Sequence, residues 1–129
     1  MQSEHAVNTN VIEVLQRNPA LLHKARLLQL IFDVFVDTQC HRVSIGQGTV
    51  SMAPHPAGAP DGWAAFTIRA SQPVWDAFAS PERRPQYHDL IAMVESGHAT
   101  VSGDLLPFFR NLFVVKGVLA AAFRGDASW

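Results

Sequence analysis

The segment from Leu105 to Arg124, LLPFFRNLFVVKGVLAAAFR, constrains this chain more than any other stretch. At 3.6 residues per turn, Leu105, Phe108, Leu112, Val115, Leu119 and Phe123 fall on one side of a single long helix opened by Gly103-Asp104. Phe109, Phe113, Val114 and Val118 spread well past that side, and only Arg110, Asn111, Lys116, Gly117 and Arg124 break the apolar surface. A helix lying on a sheet needs an apolar stripe roughly 100° wide. This one is wider. Surplus apolar surface has to meet core, ligand, partner chain or membrane.

The sheet that such a helix needs is written upstream. Leu28, Leu30, Phe32, Val34 and Val36 alternate with Gln29, Ile31, Asp33, Phe35 and Asp37, which predicts a strand with one apolar and one mixed face. A turn at Asp37–Cys40 leads to a second strand, His41–Ile45. Gly46-Gln47-Gly48 reads as a hairpin turn, because glycine takes positive φ without strain, and Thr49–Met52 returns as a third strand. Ala53–Gly62 holds three prolines and reads as a loop. Trp63–Arg69 is the fourth strand, Trp63 gating or anchoring the loop.

Ser71 caps a short helix with Pro73 in its first turn and Val74, Trp75 and Phe78 on its apolar face, ended by Pro81. Pro85 leads into another helix carrying Tyr87, Leu90, Ile91 and Val94, with Gly97 just past its end. His98–Ser102 is the fifth strand. Near the start, Asn10 and Glu13 resemble a capping box before a short helix that Asn18-Pro19 stops, followed by a single helical turn at Leu21–Lys24. The expectation is an α+β domain over residues 10–125, between a flexible N-terminus (1–9) and a tail (126–129). Its five strands form a mostly antiparallel sheet in a mostly meander order, with helices packed on one face.

Composition narrows the function. The chain has 129 residues, 48% hydrophobic against 16% charged, and a formal net charge of −1, so it offers no cationic excess for nucleic acid. One cysteine, Cys40, precludes an internal disulfide and points to a reducing compartment. Met1–Asn10 is polar and unlike a signal peptide, and Leu27–Val36 is too short and too interrupted to span a bilayer. Asp126–Trp129 carries no familiar targeting signal. A cytoplasmic protein without stable membrane insertion is the expectation.

The strand Phe66-Thr-Ile-Arg69, the helix Ser71-Gln-Pro-Val-Trp75-Asp-Ala-Phe78, the stretch Tyr87-His-Asp-Leu90 up to Gly97, and Ala99-Thr-Val-Ser-Gly103-Asp104 before the last helix together resemble the sterol carrier protein type 2 family. The resemblance covers Trp63–Leu119 in detail and involves no catalytic signature. It implies a five-stranded sheet, an apolar tunnel between sheet and helices, and binding of sterols, fatty acyl chains or other lipids, alone or as an accessory domain of an enzyme. The peroxisomal C-terminal tripeptide of some relatives is missing.

Chemistry is poorly represented. The histidines, at 5, 23, 41, 55, 88 and 98, show no metal-ligand spacing, and Cys40-His41 cannot build a site alone. In Tyr87-His88-Asp89, helix neighbours diverge by 100° and the tyrosine is expected to face the core. His88 with Asp104 is one acid–base pairing that the sequence leaves open. Ser44, Ser51 and Ser71 lack a nucleophile elbow, and Gly46-Gln47-Gly48 lacks the lysine and helix start of a phosphate loop. The expectation is therefore binding or transfer of an apolar small molecule, with no catalytic residue, metal or cofactor. The expected lining is Trp75, Phe78, Leu90, Val94, Phe108, Leu112, Val115 and Leu119. Two alternatives stand beside it: a small α+β cone enzyme of cyclase or isomerase type, and an accessory subunit that forms a homodimer through the surplus apolar surface.

Overall fold

The alternating stretch becomes strand β1 (Leu30–Val36), and it lies at the centre of the sheet. The computed structural model describes residues 11–55 and 64–125. The expectations for residues 1–9, the Asn10 cap, Trp63 and the tail fall outside these. Helices α1 (Val11–Leu15) and α2 (Pro19–Arg26) precede β1, and β2 (Gln39–Gly46) and β3 (Thr49–Pro54) follow it. Next come β4 (Phe66–Ala70), α3 (Gln72–Ala79), α4 (Leu90–Glu95), β5 (Ala99–Gly103), α5 (Leu105–Arg110) and α6 (Leu112–Arg124).

The strand order is β3-β2-β1-β4-β5. The β1–β2, β2–β3 and β4–β5 pairs are antiparallel, while β1 and β4 run parallel from Asp33↔Thr67 to Val36↔Ala70. The fold is therefore α+β with a mostly antiparallel sheet, as expected, but the meander stops at β3. The chain returns to lay β4 beside β1, which makes β1 a central strand. Asp33, on its mixed face, is accordingly only 4% exposed and takes a two-pronged ion pair from Arg42 of β2 (Nε–Oδ1 2.9 Å, Nη2–Oδ2 3.1 Å). Two parallel N–H···O bonds satisfy a carboxylate that water no longer reaches.

Leu30, Phe32, Val34 and Val36 face the helices and are buried with Val43, Ile45, Val50, Met52, Phe66 and Ile68. The layer above them is centred on α6, which touches α1, α2, α3 and α5. Its Val114, Val115, Val118, Leu119, Ala120–Ala122 and Phe123 are all buried. A helix apolar on nearly every side is thus a central one.

Local chemistry sets most boundaries. Ser71 Oγ accepts from Val74 N–H with Pro73 in the first turn of α3. After α4, Gly97 stands at φ +83° while Gly97 N–H and His98 N–H donate back to Val94 and Met93 carbonyls, a Schellman closure.

Four expectations need correction. The Leu21–Lys24 turn is a two-turn helix, because Asn18 accepts from Leu21 N–H and Pro19 costs no helical bond at the first position. Strand β3 runs two residues into the proline-rich stretch, because it is an edge strand and Pro54 is tolerated there. Helix α4 begins at Leu90 rather than near Tyr87. Asp89 accepts from Ile91 and Ala92 N–H, and Tyr87 is not turned to the core but stacks half-buried on His98 at 4.4 Å. The long C-terminal helix is two helices that meet at Asn111, whose backbone (φ −111°, ψ 24°) leaves the helical region while its side chain binds the Pro107 carbonyl.

Candidate ligand-binding site

The break at Asn111 leaves α5 to settle separately over one end of the sheet. There Pro107, the start of β1, the β2–β3 turn and Ala65 enclose an open groove of about 630 Å³. Leu30, Ile31, Ile45, Ala65 and Pro107 give it apolar walls. Gln29, Ser44, Gln47, Thr49 and Ser51 supply hydroxyl and amide groups. The strand registers explain this mixture. Ile31 lies beside Ser44 and Ser44 beside Ser51 on one face, while Leu30 and Ile45 pair on the other, so the groove wraps around the strand ends.

Backbone bonds fix the wall. Ala65 N–H donates to the Ile31 carbonyl at 2.7 Å, and the Ala65 carbonyl accepts from Asp104 N–H at 2.9 Å. Gly103 sits at φ +101°, and a Cβ there would lie 2.9 Å from the Ala65 oxygen and 3.0 Å from Phe66 Cα. Only glycine permits this approach. Asp104 then accepts from Leu106 N–H, which starts α5 beside the groove.

The eight residues expected to line a tunnel are gathered in the core or against it. Trp75 lies parallel to Phe123 with ring centres 4.2 Å apart, and Phe78 meets both rings edge-on. The Trp75 indole N–H donates to the Phe35 carbonyl at 3.0 Å. Phe108 meets Phe66 edge-on, and Phe66 stacks on Phe32. Leu90, Val115 and Leu119 are buried, and Val94 and Leu112 pack half-buried on the same core. Phe78 and Leu90 also border a pocket of about 10 Å³, the space of roughly one water molecule. Phe108 follows the groove residue Pro107 in the chain and is itself buried.

None of the groove residues belonged to that expected lining. The polar positions Gln29, Ser44 and Ser51 were visible in the alternation, but Ala65 and Pro107 reach them only through the β1–β4 pairing and the separate α5.

The acid–base pairing left open from sequence is not formed: His88 Nδ1 lies 3.2 Å from the Arg84 carbonyl oxygen, and Asp104 serves as a cap. Asp89 pairs with Lys116. Burial pushes its carboxyl upward, but the hydrogen bond and charge of Lys116 and the Ala92 and Ile91 amides outweigh this and hold it below its ordinary value. Burial alone lowers the His41 imidazole. Among the described residues, no group of three or more His, Cys, Asp or Glu could hold a metal ion, and no helix is long and apolar enough to cross a membrane.

A layer of helices on a five-stranded mixed sheet, with an open groove at one end, defines a small α+β architecture with room for a guest. Among solved structures the chain is similar to a UbiJ-SCP2 ubiquinone synthesis protein at 24% identity and a TM-score of 0.53, covering 86% of this chain and 80% of that one. It is also similar to the stereoselective inverting sec-alkylsulfatase Pisa1 from Pseudomonas sp., at 14% identity and a TM-score of 0.52. That match covers 84% of this chain but 15% of the enzyme, so it concerns one small part of a longer protein. These similarities establish the fold as the sterol-carrier type. A sterol carrier protein 2 from Yarrowia lipolytica aligns more loosely, at 13% identity and a TM-score of 0.48, over 88% of each chain. No protein-family model and no curated protein sequence matches the chain.

Proposed function

We propose that this protein binds and passes on an apolar or amphipathic small molecule of lipid type, without chemistry on it. The observation that carries the reading is the groove of about 630 Å³, apolar along Leu30, Ile31, Ile45, Ala65 and Pro107 and edged by hydroxyl and amide groups. Such a lining suits a molecule with a hydrocarbon body and a small polar end. Each methylene moved from water into the groove contributes about 0.8 kcal/mol, so a long chain needs no charged anchor. The sterol-carrier type of fold supports the same reading.

The inner wall we propose is the set expected from sequence: Trp75, Phe78, Leu90, Val94, Phe108, Leu112, Val115 and Leu119. Those side chains already pack on protein, so a guest longer than the groove has to part α5 from the sheet at Phe108. The groove is the primary site and the interior its extension.

Native mass spectrometry of the purified protein, with titration of a fluorescent fatty acid, a fluorescent sterol and a long-chain quinone, tests this. The quinone is included because one structural neighbour is named for ubiquinone synthesis. The expected result is uptake of at least one probe, weakened tenfold or more by Ser44→Trp, which fills the groove. Sensitivity to Leu112→Trp but not to Ser44→Trp would place the guest in the interior. Protein that stays empty and takes up none of the probes rejects the reading.

A further inference from the structure

The surplus apolar surface of the C-terminal segment divides at Asn111. From Val114 onward α6 is absorbed by the core, whereas Leu106 is 60% exposed, Phe109 58%, Leu105 44% and Phe113, in the first turn of α6, 43%. Leu105 and Phe109 are four residues apart and Leu106 and Phe109 three, so they form one stripe along α5, and Phe113 follows across the break in the first turn of α6. Lys24 of α2 extends over the Phe113 ring, with Nζ 5.5 Å from its centre, and Leu27, three residues further on, is 78% exposed. Pro107 joins this stripe to the groove.

Basic groups outnumber acidic ones around the stripe. Helices α2, α5 and α6 contain no Asp or Glu, although the whole chain is slightly acidic. Exposed Lys24 and Arg26 lie in the last turn of α2, beside His23, and exposed Arg110 ends α5. The acidic group at the start of α5 is Asp104, already accepting from Leu106 N–H.

We infer that this end of the molecule docks on an anionic lipid surface. The leucines and phenylalanines enter the boundary between headgroups and acyl chains, while Lys24, Arg26 and Arg110 meet phosphate groups. A twofold pair of copies joined through the same patch would bring these cations against their own equivalents, which argues for an anionic surface over a second copy. Docking this way turns the groove wall at Pro107 toward the bilayer. The inference goes beyond the ligand reading and stands whether or not the groove captures a guest.

Co-sedimentation of the full chain with vesicles of phosphatidylcholine alone, and of phosphatidylcholine mixed with phosphatidylglycerol, tests it. Binding is expected on the mixed vesicles and is expected to weaken with added salt. Neutralising each of Lys24, Arg26 and Arg110 with glutamine should weaken binding about fivefold. Leu106→Ser with Phe109→Ser should weaken it by at least about tenfold. Unchanged thermal melts show that the variants remain folded, and Leu27→Ser serves as a second apolar variant on a side chain already largely in water. Absence of binding to the anionic vesicles, or binding indifferent to these substitutions, overturns the proposal. So does a concentration-dependent dimer, seen by light scattering without vesicles, that the same substitutions abolish.

Discussion

Replacing Gly103 by alanine should be far more damaging than the same change at Gly97, although both residues have positive φ. At Gly97 (φ +83°) an added Cβ meets nothing within 4 Å, so the cost is backbone strain alone, about 1–2 kcal/mol. At Gly103 (φ +101°) the Cβ would lie 2.9 Å from the Ala65 carbonyl oxygen and 3.0 Å from Phe66 Cα. Both obstacles are backbone. They cannot rotate aside, because Phe66 pairs with Gly103 in the β4–β5 ladder and Asp104 N–H holds the Ala65 carbonyl. Strain of about 1–3 kcal/mol therefore adds to roughly 1–3 kcal/mol of overpacking. The central value, about 4 kcal/mol, corresponds to a fall in Tm of roughly 15 °C for a domain of this size. Urea titration and thermal melting followed by circular dichroism measure both variants against the parent. Because Ala65 forms a wall of the groove, Gly103→Ala should also weaken probe uptake, whereas Gly97→Ala should leave it unchanged. A Gly103→Ala variant no less stable than Gly97→Ala would refute the reasoning, since the backbone contact would then have no cost.

The buried ion pair gives a double-mutant cycle. Arg42→Met alone strands the Asp33 carboxylate and should cost about 3–5 kcal/mol, while Arg42→Met with Asp33→Val should return to within about 1 kcal/mol of the parent; additive single effects in urea melts would contradict this. The depressed Asp89 carboxyl contributes stability that is present above its ordinary value of 3.8 and is lost as pH falls through the lower folded value. Lys116→Met removes the main depressing partner, so the acid-unfolding midpoint should move to higher pH in a fluorescence titration. His41 is likewise lowered by burial, so protonation favours unfolding, and stability present above pH 6.5 falls as pH drops through its folded value. A His41→Phe variant should show a flatter stability profile over that interval in melts taken at successive pH values.

What could be read from the residues was local. Ser71 with Pro73, Gly97 after Val94, and Gly103-Asp104 each specify a cap or turn through their own chemistry, and all stand where expected. Alternation in β1 shows which side chains share a face but not which strand lies alongside, so the β1–β4 neighbourhood could not be read from it. Asn111 is an ordinary helix residue by propensity, and its side-chain bond to the Pro107 carbonyl appears only in three dimensions. The groove depends on both, which is why its residues escaped notice while the apolar surplus beside it did not. That surplus was visible in the residues between Leu105 and Phe123, but its division into an absorbed half and an exposed half followed from the break.

The single parallel pairing divides the sheet into two blocks of differing origin. Strands β1, β2 and β3 are joined by tight turns and zip from neighbouring segments, whereas β4 and β5 come together across α3 and α4. Where the blocks meet, Asp33 faces Thr67, so the junction closes a loop of about 34 residues, an entropic toll on assembly that the hairpins escape. Three bonds rivet it: Ala65 N–H to Ile31, Asp37 N–H to Ala70, and the Trp75 indole to Phe35. Trp75 thus bolts one block to the other, its indole reaching a carbonyl 40 residues back along the chain.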